Sequence, residues 1–223
     1  MKRNKLQPMR LDTFETQKKR TAYHEAGHAI AILVNSELKG LPPIFFRINI
    51  HDTANLTNDT GLSALPSQNY SAEIEGGRLV KDIPESFDYL VEQIDKDKKR
   101  RSFFCAFFAD MLHFLIGPLT EAKYIAQNDD EVFNENLLTL NALHNYGGSS
   151  DLSLINEYLQ CFSSNKNEQD KLLIELLLQA FEFVASRDNW HKITLLAEHL
   201  VDKTIKTIDC NEISELLSLE KVH

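Results

Sequence analysis

The run His24-Glu25-Ala26-Gly27-His28 constrains this chain more than any other stretch. It is followed by Ala29, Ile30, Ala31, Ile32, Leu33 and Val34, so the segment predicts a helix with little polar surface after the motif. In a helix, residues four apart share a face. His24 and His28 then project together, and Glu25 lies beside them. A buried helix seldom carries two imidazoles and a carboxylate without partners. Two imidazoles one turn apart can take two corners of a tetrahedral zinc site. Zinc lowers the pKa of a water toward ~7, and a neighbouring carboxylate such as Glu25 can take the proton. The bland alternative, a pair of ordinary core or surface histidines, fits the apolar context less well. Gly27 weakens a helix interior by ~1 kcal/mol relative to Ala, a cost tolerated where another element must approach the backbone.

Such a site needs a third protein ligand and one open position. Spacing leaves Glu121, His113, His144 and Asp151 as candidates. Asp151 has a local argument. Gly147-Gly148-Ser149-Ser150 makes a turn into a helix, and a short carboxylate there can be aimed inward. An acid at that position is equally suited to the positive end of the helix dipole.

Composition narrows the partners. A net charge of −9 and a pI near 5.4 argue against nucleic acid or an anionic membrane. Lys96-Asp97-Lys98-Lys99-Arg100-Arg101 is the one strongly basic run, and it reads as a solvated helix end or linker. Cys105, Cys161 and Cys210 are widely spaced and match no metal or disulfide pattern, which suits a reducing cytoplasm. Met1 to Arg20 lacks the apolar core of a secretory signal. Phe103 to Leu119 is the most apolar stretch, but Asp110 and His113 interrupt it and it falls short of the ~20 residues of a bilayer span. It predicts a buried helix and no membrane span. Gly76-Gly77-Arg78 and Gly147-Gly148-Ser149 lack the Lys-Ser/Thr of a phosphate loop.

The pattern of elements is mainly α with a small β component, an α+β chain. A flexible segment is expected over 1–18 and one domain over 19–219. The motif helix ends before Gly40-Leu41-Pro42-Pro43. Ile44 to Ile50 predicts a strand, Gly61 to Leu65 a second, and 67–83 reads as irregular. Phe87, Leu90, Val91 and Ile94 recur at helical spacing. Further helices are expected over Phe103–Ala126, Val132–His144, from near Asp151, over Leu172–Val184 and over Ile193–Val201 with Asp188 as N-cap. A last helix starts at Asp209, with Glu212 completing a capping box.

The run Ala22-Tyr23-His24-Glu25-Ala26-Gly27-His28-Ala29 resembles the protease-domain signature of the FtsH-type ATP-dependent zinc metallopeptidases. The similarity continues through Ile48-Asn49-Ile50, Gly61-Leu62-Ser63, Phe114 to Ala122, Gly148-Ser149-Ser150-Asp151-Leu152 and the C-terminal pattern from Ala180 to Leu217. The resemblance implies a helical zinc-metallopeptidase domain with its small β element beside the motif helix. It implies His24, His28 and Asp151 as zinc ligands and Glu25 as general base. Two departures stand out. The ATPase module and membrane helices of the family have no counterpart, and extra residues fall near 67–100 and 128–146.

The resulting expectation is a zinc metalloendopeptidase acting on unfolded or extended polypeptide, with any unfolding supplied by a separate ATPase partner. A substrate would add as a strand beside 44–50 or 61–65. The alternative is a non-proteolytic binding or regulatory module that keeps the fold and the metal. The sequence is compatible with a homo-oligomer.

Overall fold

The computed structural model describes residues 14–52, 70–84, 86, 97–134, 139–202 and 204–219. It is mainly helical, with a three-stranded antiparallel sheet. Helix α1 spans Phe14–Leu38 and begins ahead of the boundary expected at residue 19. Every residue from Ala22 to Ile32 is buried. A helix enclosed on all sides belongs at the centre of a fold, and α1 packs on helices on one flank and the sheet on the other. Its end is chemically sharp. Gly40 takes a left-handed φ of 57°. The amides of Gly40 and Leu41 then return to the carbonyls of Glu37 and Ser36 at 3.3 and 2.9 Å, a Schellman closure. Pro42 and Pro43 prevent further helix.

Strand β1, Phe46–Asp52, is central in the sheet. Phe46, Ile48 and Ile50 point inward, which fits the period of two. Strand β2, Tyr70–Gly76, pairs with β1 from Phe46↔Gly76 to Asp52↔Tyr70. It lies in the stretch expected to be irregular, and the strand expected at 61–65 lies outside the described residues. Strand β3, Thr207–Asp209, pairs with Arg47, Asn49 and the Ile48 between them on the other side. The edge of the sheet beside α1 is therefore β2. The segment 44–50 cannot receive a substrate strand, because β1 has neighbours on both sides.

Helix α2, Asp97–Asn128, is longer than the sequence predicts and contains Pro118. By length and composition it could cross a membrane, yet most of its apolar window is buried inside the protein. Lys99 and Arg101 are exposed on its first turn, as expected of a solvated end. The periodic stretch 87–94 lies outside the described residues. Of the helix expected over Val132–His144, residues 135–138 lie outside the described residues; Val132 to Asn134 are not helical, and a 3₁₀ turn follows at Leu140–Asn145, where Thr139 Oγ1 accepts from the Ala142 amide at 3.3 Å. Then follow α3 (Ser149–Phe162), α4 (Lys166–Ala185), α5 (Arg187–Leu200) and α6 (Cys210–Leu219). Asp188 falls inside the first turn of α5, and Ser186 occupies the cap position without a side-chain bond. The capping box at α6 is realised. Asp209 accepts from the Asn211 and Glu212 amides, and Glu212 accepts from the Asp209 amide at 2.8 Å.

Two apolar clusters meet across α1 and α2. One joins α2, α3 and α4, and the other joins α1, the sheet, α5 and α6. The helices touch almost backbone to backbone. A Cβ on Gly27 would overlap Thr120 of α2, and one on Gly117 would overlap the His28 imidazole. Gly27→Ala should therefore lower stability by ~1–3 kcal/mol through overpacking, although Ala is the better helix former by ~1 kcal/mol. Urea denaturation checks this, and a raised midpoint would show that the contact is slack.

Candidate metal centre

Helix α1 carries His24 and His28 one turn apart, and α3 brings Asp151 across to them. The two Nε2 atoms lie 3.1 Å apart. Asp151 Oδ2 is 3.2 Å from His24 Nε2, and Oδ1 is 3.5 Å from His28 Nε2. All three residues are buried.

The far side of each ring fixes its tautomer. His28 Nδ1 lies 2.7 Å from the His113 carbonyl oxygen, which can only accept. His24 Nδ1 faces Glu121 Oε2 and the Tyr146 carbonyl, both at 3.2 Å and both acceptors. Each Nδ1 must therefore carry a proton and donate it, and in the neutral rings each Nε2 presents a lone pair. Two imidazole lone pairs and a carboxylate oxygen then converge on one point, an arrangement that repels itself unless a cation sits between them. Atoms bound tetrahedrally at ~2.0–2.2 Å stand ~3.3–3.5 Å from one another, close to the separations found. The group His24, His28 and Asp151 can hold a metal ion.

Electrostatics agree. Burial opposes a charge on His24, but its bonds to Asp151 and Glu121 push its pKa up to about 10. Burial raises the Asp151 carboxyl, yet the two imidazoles hold it well below the usual carboxylate range. Without a metal, a proton on His24 plays the cation's part.

Of the four candidates for third ligand, Asp151 faces the histidines. Glu121 instead buttresses the back of His24 and receives Arg20 Nε at 2.9 Å on its other oxygen. Outer carboxylates of this kind orient a ligating imidazole and raise its basicity. His113 is buried in the cleft wall with its pKa lowered to about 3 by burial and by His28, so its ring stays neutral. His144 is exposed and near Ser149. The roles of the Tyr146 and His113 carbonyls were not legible in the sequence, because main-chain acceptors have no residue signature. Gly147 was legible as a turn only. Its φ is 70°, and a Cβ there would stand 2.9 Å from Glu121 Oε2 and 3.1 Å from His24 Nδ1.

Glu25 is buried and lines the same cleft, and its carboxyl group makes no hydrogen bond to a described residue. Burial raises its carboxyl pKa, and His24 and His28 pull it back only in part. The cleft encloses about 280 Å³. Strand β2 borders it through Ala72, Glu73, Ile74 and Gly76, and Arg78 and Phe114 line it further along. The sequence held a signal for β2 in the inward alternation of Tyr70, Ala72 and Ile74, although its Glu-rich outer face and Gly-Gly ending speak against a strand.

Comparison with models of known protein families gives no match, and comparison with curated proteins gives none either.

Metal titration should separate the roles. Asp151→Ala should lose most affinity because a coordinating oxygen is gone. Glu121→Ala should lose ~10–100-fold, and His144→Ala should change nothing. Calorimetry at pH 7 in buffers of different ionisation enthalpy should show about one proton released as metal displaces it from His24. The sign for the metal-free fold follows. A raised His24 pKa gives stability that is full below the unfolded value of 6.5 and lost as pH rises through about 10.

Proposed function

We propose that this chain is a zinc metalloendopeptidase acting on unfolded or extended polypeptide, related in design to the FtsH-type peptidase domain. The observation that carries this reading is the convergence of two Nε2 lone pairs and Asp151 beside a desolvated Glu25 whose carboxyl group makes no hydrogen bond to a described residue. Zinc suits two imidazoles and one carboxylate at tetrahedral spacing better than calcium or magnesium, which favour all-oxygen sites.

His24, His28 and Asp151 would hold the ion, and zinc in such a set acidifies a water and polarises a carbonyl. The chain's own groups supply the rest. Glu25 accepts the proton of the attacking water, and its raised pKa brings it closer to the working pH of a general base. It then returns that proton to the leaving amine. Glu121 and the Tyr146 carbonyl keep His24 from turning, and the His113 carbonyl does the same for His28. Among the described residues β2 has no strand on its outer edge. An extended peptide can pair there and pass its carbonyls over the site. Folded substrates need prior unfolding, which a separate ATPase would supply.

Glu25→Gln should abolish hydrolysis of an unfolded protein such as reduced casein while metal content stays intact, because the amide cannot accept a proton. In the wild type, the acid limb of kcat/KM should lie above the ordinary glutamate value of 4.5, since burial raises Glu25. Unchanged turnover in the Gln variant would remove Glu25 from the reaction. Addition of ATP should have no effect. Efficient digestion of a stable folded domain by the chain alone would contradict the passive cleft.

A further inference from the structure

We propose that Arg78 binds a carboxylate of the polypeptide, making the cleft selective for chains that present one near the bond to be cut. The inference rests on the peptidase reading and adds to it the charge class of the substrate.

Arg78 lines the same cleft as His24, Glu25, His28 and Asp151. Among the lining residues it alone carries a permanent positive charge. Its place is fixed by the backbone. Gly76 and Gly77, with φ of 90° and 80°, turn the chain sharply out of β2. At φ of 80° a side chain on Gly77 would be strained, and its Cβ would stand 2.6 Å from Ile32 Cδ1 and push that methyl aside. The next residues are pinned. Asp110, fully buried in α2, accepts from the Leu79 and Val80 amides at 2.9 and 2.8 Å.

The guanidinium rests between aromatic rings. Its Cζ is 5.9 Å from the Phe114 centroid and 5.8 Å from that of Tyr158, distances at which a cation is attracted to the ring face. Nη2 donates to Tyr158 Oη over a long 3.4 Å. Nε is shut off from solvent and has no hydrogen-bond partner. Asp110 does not satisfy it, since its oxygens are taken by the two amides and by Tyr158 Oη at 2.8 Å. Among the described residues, no carboxylate forms a direct ion pair with Arg78; burial raises the carboxyl of nearby Asp110 and the Arg78 charge draws it partly back, but Asp110 makes no hydrogen bond to the guanidinium. Because Nε is closed to solvent, a carboxylate in the cleft meets the two terminal nitrogens, Nη1 and Nη2. A planar guanidinium lying over two aromatic rings set edge to face, in the wall of a cleft, is suited to a carboxylate, which a guanidinium can grip with two parallel bonds.

If the substrate lies along β2, Arg78 meets it beyond the Gly76 end of the strand. The carboxylate has two sources, the chain's own C-terminus or an Asp or Glu side chain. Both present the same group, and one experiment separates them.

A labelled, unstructured ten-residue peptide is made in four versions, with a C-terminal acid or amide and an internal Glu or Gln. Binding is read by fluorescence anisotropy on Glu25→Gln, with zinc and again with the metal chelated. A version bearing the recognised carboxylate should bind about 10- to 100-fold tighter than the amide-Gln version, and which version gains identifies the source. The preference should persist in chelator, which separates Arg78 from coordination by the metal. Adding Arg78→Gln should erase it, and Arg78→Lys should keep only part, because an ammonium lacks the fork. If Arg78→Gln does not fold, Arg78→Lys decides: a reduced preference supports the proposal and an unchanged one overturns it. The proposal is also overturned if the four versions bind alike, if none binds, or if the preference survives Arg78→Gln. Failure of the peptidase reading looks different: the wild type cleaves nothing while the Arg78-dependent preference remains.

Discussion

Three electron-rich atoms point at one another in the middle of this protein, and much of the surrounding structure serves to keep them there. Left to themselves, His24 Nε2, His28 Nε2 and an Asp151 oxygen at 3.1–3.5 Å would turn apart. They are prevented from the outside. Each imidazole is anchored through Nδ1, one to a carbonyl of α2, the other to Glu121 and the Tyr146 carbonyl. A proton or a metal ion relieves the repulsion, and only a metal ion relieves it while leaving a position open for chemistry.

The anchors depend in turn on how closely α1 and α2 approach. Gly27 lets Thr120 sit against α1, and Gly117 lets the His28 ring lie on the backbone of α2. Any side chain at Gly117 would displace a ligand. Gly147 performs the same service for His24 from the third side, passing the chain close to Glu121 and the imidazole with a left-handed φ. These glycines therefore shape the candidate metal site without contributing a donor to it. Asp110 plays a comparable part on the far wall, tying the exit of β2 to α2 and α3.

Much of this was legible in the sequence, and the gaps have physical causes. The motif helix, the buried α2, the helix opening at Ser149 and the capping box at Asp209 follow from local rules of spacing and termini. Asp151 could not be chosen by spacing, because it reaches His24 through tertiary packing. Glu121 was among the candidates for ligand and lies instead behind the ligand; the two positions differ by which edge of an imidazole is faced, which no pattern records. Strand β2 carried a weak period of two and was obscured by its acidic face. The apolar run before His144 suggested a helix, and its described C-terminal part is a 3₁₀ turn, Leu140–Asn145. That turn matters, since it leads to the Tyr146 carbonyl and Gly147. The atypical stretches near 67–100 and 128–146 thus contribute β2, Arg78 and a buttress of His24 to the site.

The cleft brings together donors that could hold a cation, the desolvated Glu25 carboxyl and, among the described residues, an edge of β2 with no strand beside it. Its central claim is positional: one ion, held by both Nε2 atoms and Asp151. Anomalous X-ray scattering at the zinc edge, from crystals of the zinc-loaded protein, tests it most directly. The account predicts a single strong peak ~2.0–2.2 Å from His24 Nε2, His28 Nε2 and an Asp151 oxygen, with Glu121 remaining on His24 Nδ1. A peak on Glu121 or on surface carboxylates, with nothing between the two imidazoles, would contradict it.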